Sequence, residues 1–524
     1  MIPTKRMGFK KIVLTTIQAI TSAHLPRIRV SNAAAVDTAL TPLRNLLKTS
    51  GIYVVFSMIS PLISLFLSPF LTHQFTTTDY GILTTLNIMV TLTAGLAQLG
   101  LPSAFFRAYN YDYTESKDKR AVVVTATILL FLISVPVAIG VIFLSPFLAR
   151  LIFGMSALSH LIAIAGILIV LQNLSTPGFA WLRAQNRALF YSLLSLGNLF
   201  AIVIANIVLV AGLHWGITGA FIAGGCGPAF VVLCTIPVII FRAGIRLRPD
   251  IARSMISFGA PLVFTVISSW VLQVSDRYLL GVFHNFGETA QYSIAYTLGT
   301  GMNTVLIAPF TLAWPTAMFT IAKRGDAPYV FQGVFRWFGL LALFVVFGIS
   351  FLGTLLLDWL YPAAYHSAAP VIPVVALSLA FYGIYFILMV GANVKRKTWF
   401  SSIFVTIAAI VNFILNLILI PPYGMMGSAV ATFIAYILLA VLAYIINERI
   451  YPIPFQIHVF MSALVLGAFF YIGNLLLGRN LNTWLAWGLA ITFLGLYGAC
   501  LLWFARPFSL SQKKPQPIHH AIKS

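Results

Sequence analysis

The sequence predicts an all-α polytopic membrane protein of about fourteen transmembrane helices, arranged as two parallel six-helix repeats with two further helices at the C-terminal end. Three observations carry this. The chain is divided into apolar stretches of roughly 20 residues, the length a helix needs to cross about 30 Å of hydrocarbon at 1.5 Å per residue. Of its 32 Lys and Arg residues, 29 fall on alternate sides of those stretches. Finally, the two six-span blocks share residues at a common offset of 208 positions.

The first block, 48–241, holds spans near 48–71, 81–101, 121–145, 158–181, 190–212 and 217–241. A cytoplasmic linker at 242–257 leads to the second block, 258–446, with spans near 258–283, 290–312, 334–357, 370–391, 400–420 and 425–446. Spans near 457–477 and 483–505 complete the membrane part, 447–505. The cations set the orientation. Arg107, Lys117, Lys119 and Arg120, then Arg183 and Arg187, then Arg242, Arg246, Arg248 and Arg253, and later Lys395 to Lys397 all fall on the side of the basic N-terminal segment. Only Arg150 and Arg479 lie opposite, and Arg277 lies within a span, so both termini are expected in the cytoplasm.

The net charge of +21 is therefore an orientation signal rather than a nucleic-acid footprint, with a secondary role in holding anionic headgroups of membrane lipids. Cys226, Cys234 and Cys500 all sit in apolar spans, where neither a disulfide framework nor a zinc site is indicated, and no cofactor is implied. In the arm at 1–47, Phe9, Ile12, Val13, Ile17 and Ile20 follow helical spacing beside Lys10 and Lys11. Two readings stay open: an amphipathic helix on the inner leaflet and a partly disordered basic arm. A signal peptide fits less well, because Thr15, Thr16 and Gln18 break the apolar run. The tail at 506–524 reads as disordered.

The repeat points to mechanism. Gly51 and Gly259, Ala184 and Ala392, Arg187 and Lys395, Gly216 and Gly424, and Gly219 and Gly427 all keep the offset of 208. Six spans is an even number, so both copies enter from the same side and are related by an axis along the membrane normal, an arrangement suited to two lobes rocking about a central cavity.

Polar stripes mark helices that could line such a cavity: Ser57, Ser60, Ser64 and Ser68; Thr84, Asn87, Thr91 and Gln98; Ser269, Gln273, Asp276 and Arg277; and Tyr292, Tyr296, Thr300 and Asn303. Single Ser and Thr residues also serve as interhelical packing groups. Four stripes on equivalent helices, with amides such as Gln98 and Gln273 among them, favour a hydrated cleft. Asp276 and Arg277 are the charged pair well inside the hydrocarbon. Two roles compete for them: holding an anionic substrate and a coupling cation, or forming structural ion pairs with neighbouring helices.

The order of Thr78-Asp79-Tyr80-Gly81, Ser275-Asp276-Arg277-Tyr278-Leu279-Leu280 with Tyr292-Ser293, and Pro421-Pro422-Tyr423-Gly424-Met425-Met426-Gly427 resembles that of the polysaccharide-repeat flippases of the Wzx type. These belong to the superfamily that also holds multidrug extruders and lipid II flippases, and the resemblance covers about residues 46–505. It implies movement of an undecaprenyl-diphosphate-linked oligosaccharide from the inner to the outer leaflet of the bacterial cytoplasmic membrane. The purpose implied is synthesis of a surface polymer such as O-antigen, capsule or exopolysaccharide, with polymerase and chain-length proteins as possible partners. On this reading Asp276, Arg277, Gln273, Asn87, Gln98 and Asn303 are substrate or coupling candidates. Arg107, Arg183 and Arg187 are candidates for attracting the diphosphate at the inner mouth.

The first two spans carry no charge before Arg107, unlike lipid II flippases, and Asp276 is the single acid placed to couple a cation, which leaves drug export as the alternative. A membrane-embedded polymerase or ligase is a third reading. Against it, no external loop exceeds about fifteen residues, and the outer acids Asp79, Glu288 and Asp358 are scattered rather than paired for acid–base chemistry. No Gly-rich phosphate loop ends in Lys-Ser or Lys-Thr, so the chain does not read as an ATPase.

Overall fold

A computed structural model describes residues 66–505 except 114 and 479–480, and leaves the side chains of Thr265, Leu312 and Thr316 aside. The arm at 1–47, the tail from 506, and most of the first span with its Ser57, Ser60 and Ser64 lie outside the described residues.

Among the described residues every element is helical, as hydrocarbon demands of a chain that cannot leave backbone groups unpaired. α1, Thr77–Ala97, starts at a reciprocal cap: the Asp79 N–H donates to Thr76 Oγ1 at 3.2 Å, and the Thr76 hydroxyl donates to the Asp79 carboxylate at 2.7 Å. The chain then turns through Leu99 and Gly100, both left-handed, into the short α2, Leu101–Arg107. α3 (Ser116–Phe143), α4 (Ser145–Phe153), α5 (Ser159–Ala184), α6 (Ala188–Asn206) and α7 (Gly216–Ala243) complete the first block.

Most of the stretch expected as a linker, 242–257, is taken up by a helix, α8, Pro249–Gly259, which leads into α9, Val263–Phe283. The two meet at a 47° bend, where Gly259-Ala260-Pro261 interrupts the helical hydrogen bonding. α10 (Phe286–Gly299) and α11 (Ala308–Ile321) are two pieces of one apolar run, separated by Gly299, Gly301 and a π-helical turn at Asn303–Ile307. α12 (Ala327–Leu360), α13 (Val371–Leu388) and α14 (Trp399–Ile450) follow. The 52 residues of α14 contain a break at Gly424 (φ 53°, ψ −134°), just after Pro421-Pro422, so α14 holds two of the runs expected from the sequence. α15 (Ile457–Gly478) and α16 (Thr483–Ala505) pack together and against α12, and the Arg336 guanidinium donates to the Phe504 carbonyl at 3.1 Å.

Ten described helices are long and apolar enough to cross a membrane, eleven when the bent pair α8–α9 counts as one span. The expected fourteen is not a number read from these helices. Its first span is barely described, its eighth is split into α10 and α11, and its eleventh and twelfth are fused in α14.

The repeat is visible in which helices neighbour which. In the first block α5 packs against α1, α3 and α7; in the second, α13 packs against α10, α12 and α14. The blocks meet where α1 lies along α10 and α9, and where α8 crosses to pack on α2 and α3.

Candidate transport site

Adjacent residues on a helix point about 100° apart, and the structure divides the charged pair on that basis. Asp276 is 1% exposed; it accepts a 2.6 Å hydrogen bond from the Tyr292 hydroxyl on α10 and a 2.8 Å bond from the Arg277 backbone N–H. Arg277 is half-buried, with its guanidinium carbon 3.9 Å from the centroid of the Tyr296 ring. Tyr292 and Tyr296 are one turn apart, so a single face of α10 meets both charges. Their rings stand 6.0 Å apart, and the Tyr382–Tyr436 pair, 5.1 Å apart, continues the aromatic wall.

Gln273 is exposed one turn before Arg277. The stripe on α9 therefore separates: Gln273 and Arg277 keep the open face, while Asp276 is turned into the α9–α10 contact. Arg277 lies six residues before the C-terminal end of α9, roughly 9 Å at the helical rise.

The other amides divide the same way. Asn87 on α1 and Asn303 in the π-helical turn are exposed, and an amide in a membrane helix is costly to leave against lipid, so water or a polar ligand suits both. Gln98 instead closes a network inside the first block: its Nε2 donates to Asn173 Oδ1 at 2.9 Å, and Asn173 Nδ2 donates to Ser134 Oγ at 2.8 Å. That network satisfies a polar pair that would otherwise be stranded.

The three arginines expected at an inner mouth lie at the end of the first block near α8 or the loop between α5 and α6. Arg107 pairs with Asp112 at 3.4 Å and stacks 4.6 Å over Phe258 of α8; Arg183 lies 4.9 Å over Phe106; Arg187 lies 6.0 Å over Phe190. None of them joins Arg277.

Sequence reasoning missed a seam between the blocks at the N-terminal end of α1. The Tyr361 hydroxyl donates to Ser68 Oγ at 3.3 Å, Ser68 is also 3.3 Å from the Tyr80 hydroxyl, and the Tyr80 and Tyr365 rings meet edge to face at 6.2 Å. Burial pushes the Tyr361 hydroxyl up to about 12, so it stays a neutral donor at any physiological pH. Beside it Gly81 touches the backbone of Phe286 so closely that a Cβ would overlap the Phe286 carbonyl. The Tyr80-Gly81 pair was the available signal: a large ring and a vacant side-chain position together at a helix start. At the opposite end Gly100, at φ 67°, packs in the same manner on the Gly259 carbonyl.

An apolar groove of about 1020 Å³ runs between α12 and α16, with Phe310, Val334, Trp337, Leu341, Phe344 and Leu502 among its walls. Trp337, Leu341 and Leu502 are 57, 49 and 67% exposed, so the groove opens sideways.

This arrangement of helices is that of a multi-pass membrane protein, and its fold is shared with solved membrane proteins. It superposes on a lipid II flippase, MurJ, in an inward closed conformation with a TM-score of 0.68 and 18% identity, covering 86% of this chain and 98% of that one. An inward-facing multidrug resistance MATE family transporter matches at 0.55 and 14%, covering 76% of this chain and 97% of that one. A MOP superfamily transporter from Pyrococcus furiosus matches at 0.50 and 13%, covering 77% and 95%. No curated protein sequence matches the chain. The chain belongs to the polysaccharide biosynthesis protein family, whose model matches residues 70–370.

Proposed function

We propose that this protein flips a polyprenyl-diphosphate-linked oligosaccharide, an undecaprenyl-linked repeat unit, from the inner to the outer leaflet of a bacterial cytoplasmic membrane by alternating access. The observation that carries the reading is the groove between α12 and α16. A volume of about 1020 Å³ with almost wholly apolar walls and open to the side suits a lipid chain that remains in the bilayer while its head group crosses. A water-soluble drug has no need of it. Arg277 supplies a half-buried cation on the face of Tyr296, the chemistry that holds a diphosphate. The family to which the chain belongs, and the lipid-linked cargo named for one structural relative, support the same reading.

Cation-coupled drug extrusion is the second reading, favoured by one observation: Asp276 is a carboxylate buried within a span. Both readings place the termini in the cytoplasm. They part on where lipid-linked repeat units accumulate after the gene is deleted. A flippase predicts accumulation on the inner leaflet; accumulation on the outer leaflet points to a polymerase or ligase, and no accumulation to an extruder.

A further inference from the structure

The end of the first block that carries Arg183 and Arg187 holds a second recess, whose walls come wholly from the first block and do not include Arg277. A pocket of about 470 Å³ lies among the start of α3 and the ends of α5 and α7, with Tyr109, Lys119, Arg120, Trp181, Gln185 and Arg242 in its walls. An apolar groove of about 440 Å³ continues from it between α5, α6 and α7, walled by Phe190, Leu193, Phe230 and Val238. Trp181 and Arg242 belong to both, so the two form one site with a cationic end and an apolar end.

Lys119 and Arg120 sit in the first turns of the 28-residue α3, where aligned peptide dipoles already present positive charge. No side chain caps this helix start. Its first-turn acid, Asp118, is bound to Arg248 at 2.5 Å. Lys119, Arg120 and Arg242 have no acidic partner among the described residues. Lys119 and Arg120 lie near the N-terminus of α3 and Arg242 in the last turn of α7; the three like charges repel one another, and an anion in the pocket would offset that repulsion. The Gln185 side-chain oxygen is also buried without a hydrogen-bond partner among the described residues, and a protonated head-group hydroxyl would satisfy it. The apolar end opens to the bilayer, since Phe190, Leu193 and Val238 are 59, 53 and 39% exposed.

We propose that this recess is a binding site for one anionic phospholipid of the inner leaflet, its phosphate held by Lys119, Arg120 and Arg242 and one acyl chain lying in the groove past Trp181. The charge complementarity selects the anionic head group, and the continuous groove selects a lipid over a free phosphate ion.

The probe is phosphatidylglycerol brominated on its acyl chains, which quenches an indole it touches. The full chain is reconstituted into phosphatidylcholine vesicles, and the part of the quenching lost in Trp181→Phe reports the site. Brominated phosphatidylglycerol is expected to reach half-maximal quenching of Trp181 at roughly a hundred-fold lower mole fraction than brominated phosphatidylcholine. Each cation removed, as in Arg242→Gln, should reduce the preference by about five-fold, and Lys119→Gln/Arg120→Gln/Arg242→Gln should abolish it. Should that triple variant fail to fold, Arg242→Gln and Lys119→Gln singly still decide. Equal quenching by the two lipids, a preference that survives these substitutions, or full displacement by inorganic phosphate would each overturn the proposal. So would displacement by lipid-linked oligosaccharide but not by excess unbrominated phosphatidylglycerol, which would make the recess a loading point for the transported substrate. Loss of the lipid preference with normal flipping would leave the transport reading intact.

Discussion

The Tyr292 hydroxyl donates a 2.6 Å hydrogen bond to Asp276 across the contact between α9 and α10, and it is the side-chain donor to that enclosed carboxylate. Removing a partner from a buried charged group costs more than the bond's net contribution, because the charge loses solvation it cannot regain. Tyr292→Phe is therefore expected to destabilise the protein by about 1–3 kcal/mol. Asp276→Asn keeps an acceptor for the same hydroxyl and should cost less. Thermal unfolding in one detergent distinguishes the two, and an unchanged midpoint for Tyr292→Phe would show that the bond contributes nothing.

Arg277 should behave in the opposite way. It is half-buried on the face of Tyr296, so Arg277→Gln should insert and fold near normally while slowing oligosaccharide flipping at least ten-fold. Arg277→Lys should retain part of the activity, since a point charge attracts a diphosphate without the guanidinium fork. Normal flipping by Arg277→Gln would remove α9 from the pathway.

At the seam beside Tyr80, Gly81→Val places a side chain where the Phe286 carbonyl already lies. The expected outcome is a protein held open on that side: Ser68→Cys in the Gly81→Val background should react faster with an impermeant thiol reagent in intact cells than Ser68→Cys alone, and transport should fall. Unchanged labelling would show that the seam does not move.

The orientation has its own check. Single cysteines at Asp358 and Asn482 should be labelled by the same reagent in intact cells, and one at Lys395 should not. Comparable labelling at Lys395 would invert the topology argued from the cations.

What was legible in the sequence is what depends on one helix at a time. Apolar length and the boundary of two runs at Pro421-Pro422 and Gly424 are local properties, and the helices follow them; the bend after Pro261 falls inside a span that the sequence reads as continuous. The site was legible only in part. Asp276 and Arg277 were visible as charges in a span, but their division between a buried tyrosine hydroxyl and an open ring face depends on how α10 is rotated against α9, which no single-helix pattern encodes. The same holds for Gln98. Its stripe suggested a cavity wall, whereas its amide is taken up by Asn173 from another helix, 75 residues on. The closeness of Gly81 to Phe286 was hidden for a related reason: an absent side chain records that something approaches, not what.

The bend between α8 and α9 gives the molecule a mechanical asymmetry. α8 is bound to α2 and α3 of the first block, and α9 to α14 of the second, so one continuous stretch of chain is clamped in both halves. On the alternating-access reading proposed above, a rotation of one half against the other would have to be taken up at residues 260–265 as a change in the 47° angle, so the stiffness of those few residues would limit how far the halves swing apart.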